Sequence, residues 1–348
     1  MISVGIIGAS GYTGAELLRI CSKHPNFEVK TAVASTLAGT AVSDVHVHLS
    51  AEFPEMLFED KDSAPLSECE IIFTGLPHGA SQKIIPEFLG TAKLIVDLGA
   101  DFRLRDADIY KQWYEEDHVI PELLDSASYG LPELFREGLE NTSLVAAPGC
   151  YPTAASLALA PFIRAGVIES EEIIVDAASG ASGAGKNPQP SSLFCSVDEN
   201  FAAYGLLTHR HTPEIEQVLS TASNGSLIGN ASVLFTPHLA PMNRGILATC
   251  YGRVKGALDT DAALQILTEA YAGMPFIVVS EKSPTTKSTF GSNAAHLTAR
   301  VDPRTGLLVS FCAIDNLGKG ASGQAVQCAN IVLGLDESDG LSAIGISP

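Results

Sequence analysis

Basic residues are scarce in this sequence. Its 348 residues include 21 Lys and Arg against 40 Asp and Glu, which gives a formal net charge of −19 at pH 7. A protein of this charge repels nucleic acid and anionic lipid, so we expect neither as a partner. A small anionic substrate would need local arginine or lysine side chains.

The chain also lacks long apolar runs and paired cysteines. No segment reaches the roughly 20 apolar residues that a membrane span needs, and the first residues, MISVGIIGASGYTG, contain no basic leader, so no signal peptide is expected. Seven cysteines are scattered without a C-x-x-C pair, which argues against a disulfide framework or a zinc ribbon and is typical of a reducing cytosol. These absences predict a cytoplasmic protein.

The length predicts two domains, because 348 residues exceed one ordinary core. Short, nearly continuous apolar runs alternate with helical segments up to about residue 148, which favours an α/β fold with a Rossmann-type, doubly wound parallel sheet. The predicted strands are 3–7, 28–34, 70–74 and 94–98, and the predicted helices are 15–22 and 81–89.

After residue 150 the predicted strands have longer and more polar connections, which indicates an α+β domain with a mixed or antiparallel sheet. These strands are 173–177, 232–235, 245–253, 276–279 and 307–314. Helical periodicity returns at 320–333, where Ala325, Val326, Ala329 and Val332 share a face that we expect to pack on the first domain. The predicted domains are therefore 1–149 with 318–348, and 150–317.

A glycine-rich turn, Gly8-Ala9-Ser10-Gly11-Tyr12-Thr13-Gly14, follows the first strand and begins a helix. This G-x-x-G-x-x-G pattern is a variant of the dinucleotide fingerprint, in which glycines let the backbone approach a pyrophosphate at a helix N-terminus. The second strand ends with Ala34-Ser35-Thr36 and has no acid to hold the adenosine ribose hydroxyls. The ending favours NADP over NAD, although no matching cation is evident in this stretch.

Cys150 lies on a Pro-Gly turn directly before an apolar helix-forming run. A helix N-terminus stabilises a thiolate, so a cysteine there can be nucleophilic near neutral pH. The alternative is a small buried hydrophobe, which is how we interpret the other six cysteines.

About sixty residues later, His209-Arg210-His211-Thr212-Pro213-Glu214 offers candidate proton carriers for the thiol. Thr212 and Pro213 are suited to a helix start, so the two histidines could instead be solvent-exposed residues before that helix. Glu214 can orient a histidine or favour the helix start.

Three other motifs have competing interpretations. Gly180 to Lys186 fits part of a P-loop but continues with Asn187 and Pro188, so a small-residue loop near the cofactor or thioester is preferred to an ATPase. His46 and His48 could face one side of a strand as metal ligands, but no third ligand is near, and we interpret them as surface histidines. Arg103 and Arg105 follow a sheet strand and suit a carboxylate or phosphate.

The combined motifs resemble the N-acetyl-γ-glutamyl-phosphate reductase family of arginine biosynthesis, which is related to aspartate-semialdehyde dehydrogenase. They are GASGYTG, GLPHG, DLGADFR, YGLPE, PGCYPT, SGASGAG, HRHTPE, GSNAAH and DNLGKGASGQAVQ, in this order from the first strand to the last helix.

The resemblance implies roles for individual residues. Cys150 would be the nucleophile and His211 the acid/base, while Arg103, His209 and Glu214 would bind the substrate. The implied cofactor is NADP(H), and no metal is implied. The implied cofactor contacts are Gly8, Ser10, Gly11, Tyr12, Thr13, Gly14, Ser35, Thr36, Pro77, His78, Ser182, Gly183 and Asn316.

The implied reaction is the NADPH-dependent reduction of an acyl phosphate through a cysteine thioester, with release of phosphate. The second domain would carry catalysis and oligomerisation, and a homotetramer or homodimer would be usual. Two alternatives stay open: a sister enzyme that acts on aspartyl or α-aminoadipyl phosphate, and a non-catalytic NADP-binding scaffold.

Overall fold

A computed structural model of the protein describes residues 1–224 and 231–347. The chain forms two compact units: Met1–Pro148 with Ala321–Leu341, and Gly149–Gly320 with the residues from Ser342 onward. The prediction had assigned the whole C-terminal stretch to the first domain. Residues from 342 belong instead to the second unit, because the Asn293 N–H donates to the Ser342 carbonyl and the Ile346 N–H to the Phe290 carbonyl. Among the described residues, no helix is long and apolar enough to cross a membrane.

The strands and helices of the described residues are as follows. The strands are β1 (Ile2–Ile7), β2 (Phe27–Val33), β3 (Phe58–Glu59), β4 (Ile71–Thr74), β5 (Leu94–Asp97), β6 (Ser128–Tyr129), β7 (Leu144–Ala146), β8 (Ile173–Ser179), β9 (Ala202–Ala203), β10 (Val233–Leu239), β11 (Ile246–Arg253), β12 (Ile277–Val279), β13 (Ala295–Asp302) and β14 (Leu307–Ile314). The helices are α1 (Tyr12–Cys21), α2 (Val42–Val45), α3 (Ser81–Ile84), α4 (Ala107–Tyr114), α5 (Pro132–Phe135), α6 (Cys150–Arg164), α7 (Phe194–Val197), α8 (Thr212–Asn224), α9 (Thr260–Ala270), α10 (Thr286–Thr289) and α11 (Gly323–Val332).

The first unit contains a parallel sheet in the order β3-β2-β1-β4-β5-β7-β6. Both faces are buried: Val4 and Ile6 of β1 pack in one apolar cluster, and Ile7 packs in another. This two-sided burial explains why the strands appear in the sequence as continuous apolar runs rather than as alternating patterns. The predicted doubly wound α/β sheet is confirmed.

Two predicted helices of the first unit are present but differ from the prediction in their helix type or start. The helix expected over 81–89 is α-helical only as α3 and continues as a 3₁₀ turn, Ile85–Glu87. Pro86 accounts for the change, because it has no N–H to continue the α-helical ladder. The final helix, α11, begins after a π-helical turn, Gly318–Ser322, and its Ala325, Val326 and Ala329 lie in the core of the first unit, as expected.

The second unit contains a mixed sheet in the order β12-β13-β14-β11-β8-β10-β9. β8 and β10 are parallel, as are β12 and β13, while the remaining pairs are antiparallel. The predicted α+β class is confirmed, but the prediction missed β13 (AHLTARVD) and α9 as well as the short elements β9, α7 and α10. The sequence of β13 has no apolar run, and its residues are buried by their position between β12 and β14.

Candidate active site

Cys150 is the first residue of α6, a 15-residue helix whose residues from Tyr151 to Ile163 are buried. Gly149 precedes it as the N-cap in an extended conformation, and Cys150 itself is half-buried. The other cysteines lie elsewhere: five are buried, and Cys195 is exposed. Burial raises the pKa of Cys21 to about 12 and that of Cys69 to about 11. Cys150 thus combines partial exposure with the start of a long helix, the setting of a reactive thiol.

The ring of His211 lies directly against Gly149. A Cβ added to Gly149 would fall 2.5 Å from His211 Nε2, so a side chain at position 149 would displace the imidazole. His211 immediately precedes α8, which begins at Thr212, one of the two residues predicted to suit a helix start. The second unit therefore brings the predicted acid/base to the turn that carries the predicted nucleophile.

His209 lies in an aromatic setting beside His211. Their ring centroids are 4.8 Å apart, and the rings of Tyr151, Tyr204 and Phe235 lie 5.2–5.6 Å from that of His209. The His211 N–H donates to His209 Nδ1 at 3.1 Å. Burial, with a smaller effect of the Arg210 charge, lowers the pKa of His209 to about 4. His209 is therefore a neutral imidazole at physiological pH.

Glu214 is 1% exposed, and its Oε1 accepts the Gly149 N–H at 2.8 Å. The Gly149 carbonyl is also engaged, because it accepts both the backbone N–H and the hydroxyl of Thr153 at 3.0 Å. The prediction had placed Glu214 at the substrate. In the structure this carboxylate contacts the backbone of the turn before Cys150.

Gly320 packs closely against the Cα and Cβ of Cys150. A Cβ added to Gly320 would fall 2.8 Å from Cys150 Cβ, so only glycine fits there without displacement. The Gly320 N–H donates to the Asp315 carbonyl at 2.9 Å. The Asp315 carboxylate is fully buried, accepts the N–H groups of Gly291, Leu317 and Gly318, and forms an ion pair with Arg244 at 2.9 Å. Sequence reasoning missed this acceptor, although the DNLGKG motif contains it.

Asn316 and Ser182 meet in the same unit. The Asn316 Nδ2 donates to the Ser182 hydroxyl at 2.9 Å, and its Oδ1 accepts the Gly245 N–H at 2.7 Å. Gly183 lies beside them, since an added Cβ would be 3.1 Å from Ser179 Oγ and 4.0 Å from Asn316 Nδ2. These three predicted cofactor residues therefore form one loop cluster in the second unit.

The glycine-rich turn of residues 8–14, here called the nucleotide turn, lies in the first unit, after β1 and at the start of α1. Gly8 has φ +84, and a Cβ there would fall 2.3 Å from the Gly75 carbonyl oxygen. A Cβ on Gly14 would meet backbone of Gly8 and Ala9 at 2.5 Å. Ser10, Gly11 and Thr13 are half-buried, and Tyr12 is exposed. The turn thus has the glycine-dependent backbone that a dinucleotide pyrophosphate requires, and this backbone leads into a helix N-terminus.

His46 supports this turn, contrary to its interpretation as a surface residue. It is 6% exposed, and its Nε2 lies 3.0 Å from the Ala9 carbonyl oxygen. The segment is also not a strand: His46 follows α2, and His48 belongs to a 3₁₀ turn, Val47–Leu49.

Ser35 and Thr36 lie exposed in a 3₁₀ turn, Ser35–Leu37, directly after β2. The Lys61 N–H donates to Ser35 Oγ at 3.3 Å. The Lys61 ammonium contacts Asp62 at 3.0 Å and Glu87 at 2.8 Å. Lys61, a cation that the sequence did not reveal, is therefore bonded to Ser35 through its backbone, while carboxylates engage its ammonium group.

Pro77 and His78 form an exposed turn after β4. Gly79 follows with φ +77, and its N–H donates to Asp101 Oδ1 at 2.7 Å. Asp101 is fully buried and accepts three further bonds, from the Ser81 hydroxyl, the Gln82 N–H and the Tyr110 hydroxyl. Asp101 was not predicted from the sequence, because in the DLGADFR motif only the arginine has a residue type that indicates an anionic ligand.

Arg103 is 8% exposed, and its guanidinium donates to the carbonyls of Ala147 and Leu98, both at 2.8 Å. The neighbouring Arg105 donates to the Leu124 carbonyl. The structure thus places both arginines on backbone of the first unit. A substrate-anchoring role for Arg103 stays a prediction.

Family models identify the class of protein to which the chain belongs. The family model described as semialdehyde dehydrogenase, NAD binding domain, matches residues 3–142, and the one described as semialdehyde dehydrogenase, dimerisation domain, matches residues 150–316. Aspartate semialdehyde dehydrogenase II from Vibrio cholerae, solved with ASA, has a TM-score of 0.71 at 16% identity, and the alignment covers 96% of this chain and 98% of that one. The enzyme from Candida albicans, solved with NADP, has a TM-score of 0.72 at 16% identity over the same shares. At this identity the structures establish the fold alone.

Full-length relatives then define the family. An N-acetyl-γ-glutamyl-phosphate reductase of Symbiobacterium thermophilum is 46% identical over 347 residues, covering 99% of this chain and 98% of the relative. One of Ectopseudomonas mendocina is 44% identical over 351 residues, and the alignment covers both chains completely. The chain belongs to the N-acetyl-γ-glutamyl-phosphate reductase family, and the resemblance stated from its motifs is confirmed.

Proposed function

We propose that this protein reduces N-acetyl-γ-glutamyl phosphate to N-acetylglutamate 5-semialdehyde with NADPH and releases phosphate, a step of arginine biosynthesis. One observation carries the proposal beyond family membership: Cys150 begins α6 while the His211 ring contacts Gly149, the residue before it. A thiol at a helix N-terminus beside an imidazole is the arrangement that covalent acyl chemistry needs.

The thiol chemistry follows from these two side chains. Cys150 gives its proton to His211, and the thiolate attacks the acyl carbon; the bond from that carbon to the phosphate oxygen breaks, and a thioester remains. NADPH, when bound, supplies the hydride that reduces the thioester carbon. His211 protonates the resulting oxyanion and takes the proton back as the carbon–sulfur bond breaks, so the aldehyde leaves and the thiolate is restored.

NADP is the proposed cofactor in preference to NAD. β2 ends without the acidic residue that typically holds the adenosine ribose hydroxyls, and Ser35 and Thr36 are exposed directly after it. Lys61, whose backbone N–H is bonded to Ser35, is the candidate cation for a 2′-phosphate. Because its ammonium contacts Asp62 and Glu87, that side chain would have to exchange a carboxylate for the phosphate.

We propose that the second unit also mediates assembly into a homodimer or homotetramer, and that the protein works in the cytoplasm. The family model over residues 150–316 describes a dimerisation domain. Helices α6 and α9 pack on one face of the second sheet. On the other face, the strand register aligns four apolar side chains in one row: Leu234, Ile174, Tyr251 and Val309. Leu234 is 49% exposed and Ile174 39%. Such a row is suited to burial against a second subunit.

The reverse reaction tests the activity, because the acyl phosphate itself is unstable. Purified protein is mixed with N-acetylglutamate semialdehyde, phosphate and NADP, and absorbance reports NADPH; parallel wells contain aspartate semialdehyde or NAD. We expect phosphate-dependent NADPH formation with the acetylated substrate. Activity with another semialdehyde alone would keep the mechanism and overturn the substrate. No activity in any well would favour a non-catalytic NADP-binding protein.

A further inference from the structure

The start of α8 and the histidine before it hold the turn before Cys150 at two points. The Glu214 carboxylate accepts the Gly149 N–H at 2.8 Å, and three residues earlier the His211 ring lies on the Gly149 Cα. With the carbonyl of Gly149 bonded to Thr153, every backbone group of this N-cap residue is engaged.

Glu214 is suited to this task by its burial and by its position. At 1% exposure its carboxylate is removed from water, and it occupies the third residue of a 13-residue helix, where the helix dipole stabilises a negative charge. A hydrogen bond between a backbone N–H and a carboxylate is stronger than one between neutral groups. Without it, the Gly149 N–H would be left unsatisfied in a buried setting.

We propose that Glu214 is a positioning residue: its carboxylate fixes the Gly149 N–H and thereby sets the direction of the Cys150 side chain against His211. This differs from the substrate-binding role that the family resemblance implies. The inference deepens the proposed function and rests on it for turnover, but the reactivity of the Cys150 thiol can be measured without substrate or cofactor.

The test compares three variants by iodoacetamide labelling of the substrate-free protein, with the labelled peptides identified by mass spectrometry. Glu214→Leu removes the acceptor, whereas Glu214→Gln keeps an oxygen that can accept the N–H. The matched control is Glu216→Leu on the same helix, because Glu216 Oε1 accepts the Val233 N–H at 3.0 Å and so makes an equivalent bond away from Cys150. Exposed Cys195 serves as an internal reference in every sample.

We expect Glu214→Leu to lower the ratio of Cys150 to Cys195 labelling by about tenfold, the effect of losing one charged hydrogen bond. Glu214→Gln should restore most of the rate, and Glu216→Leu should leave the ratio unchanged even if it lowers the melting temperature. In the turnover assay, Glu214→Leu should lower kcat with little change in the KM for the semialdehyde.

An unchanged labelling ratio in Glu214→Leu, in a protein that melts cooperatively, would overturn the positioning role. An unchanged ratio in Glu214→Leu together with a raised KM for the semialdehyde would assign the carboxylate to substrate binding instead. If the proposed reaction fails while labelling still depends on Glu214, the positioning role stands and the assigned substrate falls.

Discussion

Each unit has a buried aspartate that holds its functional loops. In the first unit the aspartate accepts hydrogen bonds from neutral donors alone, whereas in the second it also forms an ion pair. Asp101 holds the 77–79 loop through two N–H groups and two hydroxyls. Asp315 holds the loops beside Gly320 through three N–H groups and Arg244. The functional loops of the two units are therefore held by different interactions, and we expect the stability of each unit to respond differently to substitution and pH.

Cys150→Ser should have the largest effect, and it should affect turnover without affecting NADP binding. Because an alkoxide is harder to form and a poorer leaving group than a thiolate, we expect turnover to fall by about 10⁴-fold or more. The first unit has no part in this change, so NADP binding, measured by fluorescence titration, should stay within about twofold. Ordinary turnover by the serine variant would refute the covalent mechanism.

Asp315→Ala should destabilise the protein more than Asp101→Ala. Loss of Asp315 leaves Arg244 without its buried partner, and breaking such a pair costs about 3–5 kcal/mol. Loss of Asp101 leaves only neutral donors unsatisfied, at about 1–3 kcal/mol. Urea unfolding measures both. Equal or reversed losses would show that the ion pair is not the main support of the second unit's loops.

Asp97 makes the stability of the first unit depend on pH. It accepts bonds from the Thr74 hydroxyl and the Gly99 N–H, and burial raises its pKa from 3.8 to about 6. The folded state therefore binds this proton more tightly than the unfolded chain, so the contribution of Asp97 to stability falls by up to ~3 kcal/mol as pH rises between about 4 and 6. Asp97→Asn should gain stability relative to wild type across that window.

The measurement for Asp97 is the free energy of unfolding of both proteins at pH 4, 5, 6 and 7. Their difference should grow with pH and level off above about 6.5. A difference that stays constant over the range would mean that Asp97 keeps an ordinary pKa in the folded protein.

His209 should give the smallest effect. Since its pKa is lowered to about 4, its ring should not titrate between pH 5.5 and 8. In NMR spectra, the His209 ring signal, assigned with a His209→Asn variant, should keep its chemical shift over this range. That variant should also retain the shape of the pH profile of kcat/KM above pH 5, because a neutral imidazole is not the proton donor. A His209 signal that titrates near pH 6.5 would contradict the lowered pKa and would make His209 a candidate for the proton transfer assigned to His211.

The sequence predicted four of the seven described strands of the first sheet and five of the seven of the second. In the first, continuous apolar strands such as Ile71–Thr74 and glycines with steric demands are local signals, and the structure has both where they were expected. In the second, β13 is buried through its neighbours rather than by its own composition. Burial that arises from pairing cannot be detected within a strand's own residues.

The candidate site shows the same limit. Cys150 and His211 were proposed because their residue types and contexts are chemically distinctive, and the structure places the His211 ring against Gly149, the residue before Cys150. The contacts of Glu214 with Gly149 and of Gly320 with Cys150 join positions 65 and 170 residues apart, and no local pattern encodes them. Arg103 was proposed from residue type, yet the structure shows its guanidinium on carbonyls of its own unit.

The central claim is a covalent acyl-enzyme on Cys150, and trapping it is the most direct test. Protein is mixed with N-acetylglutamate semialdehyde and NADP in the absence of phosphate, quenched in acid and measured by intact mass and peptide mapping. The account predicts about one NADPH per site in a burst, with one N-acetylglutamyl group on Cys150 that phosphate then discharges. NADPH formation with no adduct, or with the adduct on another residue, would contradict it.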